Sequence, residues 1–432
     1  MDIDKGNIKI LNLCSSTMGG AGTATVLFHE YLLDNGFCSV IVARETDVNG
    51  DSNIIRYRPR EKGFAYFRYK KRKKLYRALS KRWSKIYNDN LPTLRITFDD
   101  QRTTASADTI LKQTGFKPDI IFVHWTHTFI TPEIIADLKR LTNAHIVSLM
   151  MDNASFTGGC HYPYDCKGYT GDCGQCPLFT TVHDISSSIL SRKLSFFPSD
   201  MEFWGVSADC RRVAESALGR QRKAFPILFP IDEHILPSER KEQIRKELSI
   251  GDSEIVIMLG CTSFDVIDKR KGLEYLIAIL ARIKAKAPQL QQRISLIAVG
   301  NHSSNIIEHL GYRTLRPGFV PLERLMRLFK ASDLFLSTSI EDSGPLMINQ
   351  SVAVGTPVAA FNIGVAQDLI EDNVTGVKAP LFAYECLADK IISFLDQPRT
   401  AFDERTQLCL KHFAEKSNVL SPIRQIMRLA QM

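Results

Sequence analysis

The most constraining feature of this chain is a strand–helix–strand pattern near its C-terminal end. The apolar residues 334–339 predict a buried strand. Gly344 and Pro345 then open a predicted helix, which ends at residues 355–357 before a second apolar run, residues 358–361. A helix between two buried strands is typical of a parallel sheet, because parallel strands need a long crossover connection. The segment therefore predicts an α/β fold.

The same alternation of strands and helices extends along most of the chain and predicts parallel, doubly wound sheets. The predicted strands are residues 8–13, 39–43, 119–124, 145–150, 203–206, 254–260, 294–300, 334–338 and 357–362. The predicted helices end at residue 33 or span residues 132–141, 208–217, 272–285, 322–332 and 345–354.

With 432 residues the chain is too long for one ordinary core. We predict two Rossmann-like domains, residues 1–228 and 229–400, that meet at the turn-like residues 229–232. The C-terminal helices, in residues 401–432, are expected to pack back towards the N-terminal domain. Ligands in such sheets bind at the carboxyl ends of the strands, so the cleft between the two domains is the expected site.

The composition, 44% hydrophobic and 24% charged, is that of a soluble globular protein. No apolar run approaches the length of a membrane span, and the polar N-terminus shows no signal peptide. We therefore expect a cytoplasmic protein. In a reducing compartment its ten cysteines are expected to be thiols or metal ligands.

The turn before the predicted helix at Pro345 has the chemistry of a nucleotide-sugar site. The free N–H groups and the dipole of a helix N-terminus suit an anion such as a diphosphate. Glu341 and Asp342 lie beside that turn and suit hydrogen bonds to hydroxyls. Arg270 and Lys271 open another predicted helix and add positive charge, although a solvated basic loop is the alternative interpretation.

Two features of the N-terminal half are expected at the carboxyl edge of the first sheet, where a ligand would bind. Residues 19–22 form a glycine-rich turn after the first strand; they do not match the dinucleotide fingerprint, and a tight strand–helix turn is the alternative. His124 ends an apolar strand, at the place where ligands bind in doubly wound sheets. A histidine with a purely structural role is the alternative there.

Four cysteines lie within 17 residues of an insertion that spans residues 158–178. Soft ligands that close on one another in a turn-rich segment suit a tetrahedral structural zinc. Two disulfides or four unligated thiols are the alternatives. A closed site of this kind leaves no open position for catalysis. The four predicted ligands are Cys160, Cys166, Cys173 and Cys176.

A basic segment, residues 66–87, carries the positive charge of the chain. Ten basic and no acidic residues lie between Arg68 and Lys85, whereas the whole chain has a net charge of only +8. Tyr69, Tyr76 and Trp83 recur within it at seven-residue spacing. This pattern favours an anionic membrane surface over a solvated helix face, and both over nucleic acid, because no nucleic-acid module is recognisable.

Taken together, these positions resemble the retaining glycosyltransferases of family 4, which have the two-domain GT-B fold. The most specific elements are residues 339–361 and residues 156–162. The latter, with the later cysteines, is similar to a branch that assembles bacterial exopolysaccharide, capsule or O-antigen, of the colanic acid type.

The resemblance implies roles for individual residues. Asp342 and Gln350 correspond to the acidic positions of the donor site, with Glu341 next to the first, and Gln350 stands where the family has a glutamate. Lys271, with Arg270, corresponds to the basic pair that neutralises the diphosphate. His124 corresponds to the active-site histidine, and Gly20 lies in the loop that approaches the diphosphate. The remaining contacts to the donor sugar and phosphates are expected from Ser343, Gly344, Pro345 and Leu346.

The implied function is transfer of a sugar from a nucleoside diphosphate to a saccharide, with His124, Lys271 and Asp342 as catalytic residues and no catalytic cofactor. The expected acceptor is lipid-linked. The basic segment would hold the protein on the inner face of the plasma membrane. Gln350, and Met151 where this branch has a histidine before Asp152, motivate a second hypothesis: a nucleotide-sugar-binding or scaffold subunit without turnover. A polyanion-binding protein acting through the basic segment is a third.

Overall fold

A computed structural model of the protein describes residues 4–48, 50–59, 103, 105–177, 179, 184–264, 269–301, 307–344 and 346–432. The basic segment, with the membrane contact predicted for it, lies outside these residues, and so does Pro345.

The chain forms two compact units. The first comprises Met1–Gly205, Asp209–Ile227 and Pro422–Met432, and the second comprises Val206–Ala208 and Leu228–Ser421. The chain therefore passes into the second unit at Leu228, next to the turn at residues 229–232, and its last eleven residues, Pro422–Met432, belong to the first.

The first unit is built on a seven-stranded parallel sheet with the strand order β3-β2-β1-β4-β5-β6-β7. Its central strands are buried on both faces, as continuous apolar runs such as Ile120–Val123 require. The strands are β1 (Lys9–Ser16), β2 (Cys38–Glu45), β3 (Ile54–Arg56), β4 (Ile120–Val123), β5 (His145–Leu149), β6 (Glu202–Gly205) and β7 (Ala224–Pro226). The helices that precede Leu228 are α1 (Gly19–Asp34), α2 (Ala107–Thr114), α3 (Pro132–Thr142), α4 (Ser186–Phe196) and α5 (Ser207–Glu215).

The second unit is built on a six-stranded parallel sheet with the order β10-β9-β8-β11-β12-β13. The strands are β8 (Ile255–Ser263), β9 (Ile294–Asn301), β10 (Arg313–Gly318), β11 (Leu334–Ser337), β12 (Val358–Phe361) and β13 (Gly376–Ala379). The helices are α6 (Lys241–Glu247), α7 (Leu273–Lys286), α8 (Pro288–Arg293), α9 (Leu322–Ala331), α10 (Leu346–Ala353), α11 (Ala366–Leu369), α12 (Tyr384–Leu395) and α13 (Arg399–Val419), and α14 (Pro422–Ala430) returns to the first unit.

In both sheets the strand order reverses at one place, between β1 and β4 in the first unit and between β8 and β11 in the second. At such a switch point the loops after the two neighbouring strands diverge and leave a crevice at the carboxyl edge. The sequence prediction of two doubly wound, Rossmann-like domains is thereby confirmed.

A buried carboxylate fixes the amino ends of the two strands that flank the second switch point. Asp333, which precedes β11, accepts the N–H of Val256 in β8 at 2.8 Å. Lys241, Arg245 and Arg399 surround the same carboxylate at 2.8, 3.1 and 3.0 Å. Three neighbouring cations hold the pKa of Asp333 below its ordinary value even though burial alone would raise it. The strands are thus held in register at the end opposite the loops of interest.

Among the helices that the structure describes, none has the length and apolar composition needed to cross a membrane.

Candidate functional site

The loops that follow β8 and β11 lie side by side, because these two parallel strands are neighbours in the sheet. The loop after β8 ends in a short 3-10 turn, Lys269–Lys271, and leads into α7. The loop after β11 is described from residue 338 to residue 344, and α10 follows from Leu346. Six of the residues predicted from sequence to bind the donor or to act on it therefore lie in two loops at one edge of one sheet: Arg270, Lys271, Glu341, Asp342, Ser343 and Gly344.

An ion pair joins the two loops. Lys271 Nζ donates to Asp342 Oδ2 at 2.6 Å, and the lysine side chain keeps 33% of its exposure against 14% for the aspartate. The ammonium group is therefore partly available from solvent, whereas the carboxylate is mostly covered. A pair of this kind can hold a lysine in position for an anion that later competes with the carboxylate.

Backbone contacts fix the same two loops against each other. Thr338 Oγ1 donates to the carbonyl of Lys271 at 3.0 Å, and the N–H of Ile340 donates to the carbonyl of Arg270 at 2.7 Å. Gly272, with φ +61°, lies so close to Thr338 that a Cβ atom would be 2.0 Å from the Thr338 carbonyl oxygen. Only glycine combines this backbone conformation with this close approach.

The loop before α10 is compact and polar. Glu341 and Ser343 are buried, and the N–H of Gly344 donates to Asp342 Oδ1 at 3.2 Å. Gly364 packs so closely on this loop that a Cβ atom there would be 2.5 Å from the Asp342 carbonyl oxygen. The carboxylate of Asp342 thus organises its own loop with one oxygen and Lys271 with the other.

Gln350 lies in the second turn of α10, where it is 4% exposed. Among the described residues, its Oε1 atom is buried without a hydrogen-bond partner. A buried amide oxygen without a partner is costly, and a ligand hydroxyl would satisfy it. Asn349, in contrast, donates to the carbonyl of Phe229 at 3.1 Å.

In the first unit, His124 directly follows β4, and Gly20 lies in the first turn of α1, after β1. Because β1 and β4 are neighbours, both residues lie at the carboxyl edge beside the switch point. Gly20 is exposed, and a Cβ atom there would have no neighbour within 4 Å. Gly22 is the tighter position, since a Cβ atom would be 2.4 Å from the Thr17 backbone.

A buried chain of hydrogen bonds determines the tautomer of His124. Asn12 Nδ2 donates to Ser39 Oγ at 2.9 Å and to the Val40 carbonyl at 3.4 Å, so its Oδ1 atom faces His124 Nε2 at 2.9 Å. Nε2 therefore carries the proton, because an amide oxygen can only accept. The Nδ1 atom of His124 is an acceptor that is buried without a partner in the described part of the chain. At the other end of this chain of hydrogen bonds, His29 Nδ1 and Ser39 Oγ are 2.7 Å apart.

Burial keeps both histidines in this chain of hydrogen bonds, His124 and His29, neutral. Burial, together with a smaller effect of the nearby His29, lowers the pKa of His124 to about 3. Burial likewise lowers the pKa of His29 to about 4, against a weaker opposing effect of Asp51. His124 can therefore accept a hydrogen bond at neutral pH, but it cannot donate a proton as a general acid.

His124 also lines a cavity of about 60 Å³ in the first unit. On its wall, His161 Nδ1 and Asp152 Oδ2 are 2.5 Å apart, and both side chains are about nine-tenths buried. Buried Lys193 lines it too and donates to the carbonyl of Thr157 at 2.9 Å. The cavity combines polar groups with apolar walls, including Met151, as small-molecule sites do.

The four predicted zinc ligands lie in one segment of the first unit, between β5 and α4, and none of them forms a disulfide. Burial raises the pKa of Cys160 to about 12 and that of Cys173 to about 11, and the neighbouring cluster thiols raise both further. The four sulfur atoms are therefore near enough to affect one another.

Sequence reasoning missed the supporting residues of both sites. Asn12 is the one with a visible signal, since it is a polar residue inside the apolar run of β1. The pairing of Asp152 with His161 joins two positions of one irregular connection, and the contact of Gly272 with Thr338 joins two separate loops; no local pattern indicates either.

Comparison with known proteins identifies the relatives of the second unit. Residues 239–408 match the family model of "Glycosyl transferases group 1". D-inositol 3-phosphate glycosyltransferase of Kribbella flavida is 26% identical over 171 residues, which are 37% of this chain and 40% of that protein. Alpha-galactosylglucosyldiacylglycerol synthase of Streptococcus pneumoniae is 24% identical over 151 residues, 32% of this chain and 37% of that protein. The match thus spans less than half the length of these curated relatives.

Solved structures share the fold over nearly the whole chain. Sucrose-phosphate synthase of Thermosynechococcus elongatus has a TM-score of 0.64 at 15% identity, covering 97% of this chain and 98% of its own. Anabaena HepE in complex with UDP and glucose has a TM-score of 0.60 at 14% identity, covering 98% and 100%. The fold is GT-B, as predicted, and the second unit carries the similarity to the group 1 glycosyltransferases.

Proposed function

We propose that the protein is a retaining glycosyltransferase that moves a sugar from a nucleoside diphosphate to a saccharide acceptor, lipid-linked and destined for a bacterial surface polysaccharide. The observation that carries this proposal is the ion pair of Lys271 with Asp342 across the switch point of the second unit. The match of residues 239–408 to the group 1 glycosyltransferases supports the same reaction class.

In this proposal the second unit binds the donor. Lys271 and Arg270 neutralise the diphosphate as the bond between the anomeric carbon and the phosphate oxygen breaks, and the N–H groups of Ser343 and Leu346 add to that stabilisation. The acceptor oxygen bonds to the anomeric carbon on the same face, and its proton leaves with the diphosphate. This electrostatic mechanism needs no divalent metal and no enzyme nucleophile.

The hydroxyl groups of the donor take the remaining polar atoms of that unit. Asp342 and Glu341 accept from the sugar, and the Oε1 atom of Gln350, buried without a described partner, accepts from the ribose. Pro345 would hold the start of α10. HepE, whose structure contains UDP and glucose, has the same fold, and this likeness supports a nucleotide-sugar as the ligand class.

The first unit, in this proposal, contributes a hydroxyl-binding histidine and the acceptor site. His124 offers its neutral Nδ1 atom to a sugar hydroxyl, and Gly20 leaves room for a phosphate beside the exposed start of α1. Asp152 and His161, on the wall of the small cavity beside His124, would supply hydrogen-bonding groups to the saccharide acceptor.

A donor panel tests the proposal. Purified protein is incubated with UDP- and GDP-sugars, and release of the nucleoside diphosphate is measured with and without lipid-linked saccharide acceptors. We expect one donor to be turned over and Lys271→Gln to lower the rate by about 10²-fold, since removal of one preorganised donor group costs that much. The matched control is Lys269→Gln, an exposed lysine in the same 3-10 turn. Equal losses in both variants would contradict the role of Lys271, and NMR of the product would reveal inversion if retention is wrong.

A nucleotide-sugar-binding or scaffold subunit is the second candidate function. It is favoured by Gln350, which replaces a charged carboxylate at a buried position, and by Met151, which lines the cavity of the first unit. Tight binding of a donor without turnover across the acceptor panel would support it. If Gln350→Glu gains turnover without binding the donor more tightly, the unmodified protein is a transferase that has lost its activity.

The proposed location is the cytoplasm, at the inner face of the plasma membrane. The basic segment at residues 66–87 supports this on charge alone. Replacement of Lys70, Lys71, Lys73 and Lys74 by glutamine should reduce sedimentation with vesicles that contain anionic lipid. Unchanged sedimentation would remove the membrane from the proposal and leave the transferase reaction untouched.

A further inference from the structure

The cysteine-bearing segment of the first unit, residues 150–185, is long for a connection with so little regular structure. In its described part, one 3-10 turn, Gly168–Thr170, is the only helical element. Connections longer than about 15 residues without secondary structure are uncommon in compact domains and need something to hold them. Nevertheless this segment packs into the first core, where Phe156, Tyr169 and Cys173 are buried.

The backbone of this segment is strained around the cysteines. Three non-glycine residues have positive φ angles: Tyr164 at 49°, Cys173 at 58° and Gln175 at 59°. Such conformations persist where surrounding interactions over-determine them. Gly158 contributes to this constraint, since a Cβ atom there would be 2.7 Å from the Cys173 Cβ.

Two backbone N–H groups already point at cysteine sulfurs. The N–H of Gly158 donates to Cys173 Sγ at 3.2 Å, and the N–H of Gly168 donates to Cys166 Sγ at 3.4 Å. The Cβ position of Gly168 would lie 3.5 Å from Cys166 Sγ and 3.9 Å from Cys173 Sγ, so both sulfurs border one small space. N–H groups directed at sulfur stabilise a thiolate far more than a neutral thiol.

A buried cation lies next to the cluster. Lys193, which is 3% exposed, donates to the carbonyl of Thr157, three residues before Cys160. Four thiolates and a divalent cation have a net charge of −2, and a buried ammonium group offsets part of it.

We propose that Cys160, Cys166, Cys173 and Cys176 bind one structural zinc ion, which fastens this segment to the first unit. Binding replaces four thiol protons with four zinc–sulfur bonds, and the protons go to solvent. Zinc matches four soft ligands in a closed tetrahedral set. Among the described residues no three of these sulfurs lie within 4.8 Å of one another. Tetrahedral coordination at about 2.3 Å places sulfurs about 3.8 Å apart, so in every group of three at least one pair of sulfurs must approach by about 1 Å or more as the site closes. Gly168, Gly171 and Gly174 lie between the ligands and make that movement possible.

The experiment is metal analysis of the full chain, purified under reducing conditions. We expect about one equivalent of zinc and its loss in Cys160→Ser and in Cys176→Ser. Cys386→Ser is the matched control, since Cys386 is exposed on α12, outside the cluster, and this variant should keep its zinc. Replacement of zinc by cobalt should produce the intense thiolate-to-cobalt absorption of a tetrathiolate site.

Zinc-free protein with ten titratable thiols and no cobalt absorption would overturn the proposal. Full zinc content in both cluster variants, or disulfides between the cluster cysteines in the reduced preparation, would overturn it as well. If Cys160→Ser does not fold, Cys176→Ser, which changes a part-exposed residue, decides together with the cobalt spectrum of the unmodified chain. None of these measurements depends on sugar transfer, so the zinc site and the proposed reaction can fail separately.

Discussion

Acidification should destabilise the first unit through two buried histidines. Burial lowers the pKa of His124 to about 3 and that of His29 to about 4, whereas a histidine in the unfolded chain has a pKa of about 6.5. Both residues are neutral in the folded state at pH 5, but both bind a proton when the chain unfolds. Their contribution to stability is therefore complete above pH 6.5, and it is lost as the pH falls towards 4 and then 3.

The size of the effect follows from the two pKa values. At pH 5 the unfolded pKa lies about 1.5 units higher, and each unit corresponds to about 1.4 kcal/mol. Each histidine then removes about 2 kcal/mol from the free energy of unfolding, and the two together remove about 4 kcal/mol. A loss of that size is a large part of the stability of an ordinary domain.

Urea denaturation at pH 7.5 and pH 5.0, followed by tryptophan fluorescence, measures this loss. The two tryptophans that the structure describes, Trp125 and Trp204, belong to the first unit, so their signal reports on that unit. His124→Gln and His29→Gln should each reduce the difference in unfolding free energy between the two pH values by about 2 kcal/mol. His309→Gln, an exposed histidine of the second unit, is the control and should change nothing.

The comparison between variants is decisive, because other groups also titrate between pH 7.5 and 5.0. If the double variant loses as much stability as the unmodified protein, then the two histidines are protonated in the folded state. That result would also contradict the neutral Nδ1 acceptor assigned to His124, because a protonated ring donates from both nitrogens.

Three further predictions concern the second unit. Asp333→Asn should lower the free energy of unfolding by about 3–5 kcal/mol, since it leaves Lys241, Arg245 and Arg399 without their buried carboxylate. The control is Asp389→Asn, at a half-exposed ion pair, which should lower it by less than about 1 kcal/mol. Chemical denaturation measures both. Gly272→Ala should lower the midpoint of thermal unfolding and weaken nucleotide binding, because the new Cβ atom would clash with the Thr338 carbonyl. The control is Gly20→Ala, where the new Cβ atom has no neighbour and the midpoint should not change. Asp342→Asn should tighten binding of UDP or GDP alone by about fivefold, or about 1 kcal/mol, since Lys271 loses the carboxylate that competes with the diphosphate. The same variant should slow sugar transfer. If calorimetry shows weaker binding of the free nucleotide, Asp342 does not compete with the diphosphate for Lys271.

The sequence predicts the central strands of both sheets well, because their apolar runs are long and buried on both faces. The edge strands are different. Residues Arg313–Gly318 of β10 include two arginines and a proline, and Ile54–Arg56 of β3 are only three residues, so neither has a recognisable pattern. Their strand conformation comes from pairing with β9 and β2, which is a property of the assembled sheet.

The candidate site shows the same division between local and assembled features. Lys271 and Asp342 could be chosen from sequence because each stands where a strand meets a helix. Their pairing could not, since it joins positions 71 residues apart through the adjacency of β8 and β11. The partners of His124 are similarly distant, with Asn12 separated from it by 112 residues.

The two switch points differ in the electrostatics that they offer a ligand. Beside the first, His124 and its partners are neutral and dehydrated, so their free energy of interaction depends on hydrogen-bond geometry and not on charge. Beside the second, Lys271 and Asp342 are charged and partly exposed. A nucleotide-sugar presents the same division, with hydroxyl groups at the sugar and charge at the diphosphate. Rising salt should therefore weaken diphosphate binding through Lys271 and leave hydroxyl recognition by His124 unaffected, because screening acts on charges alone.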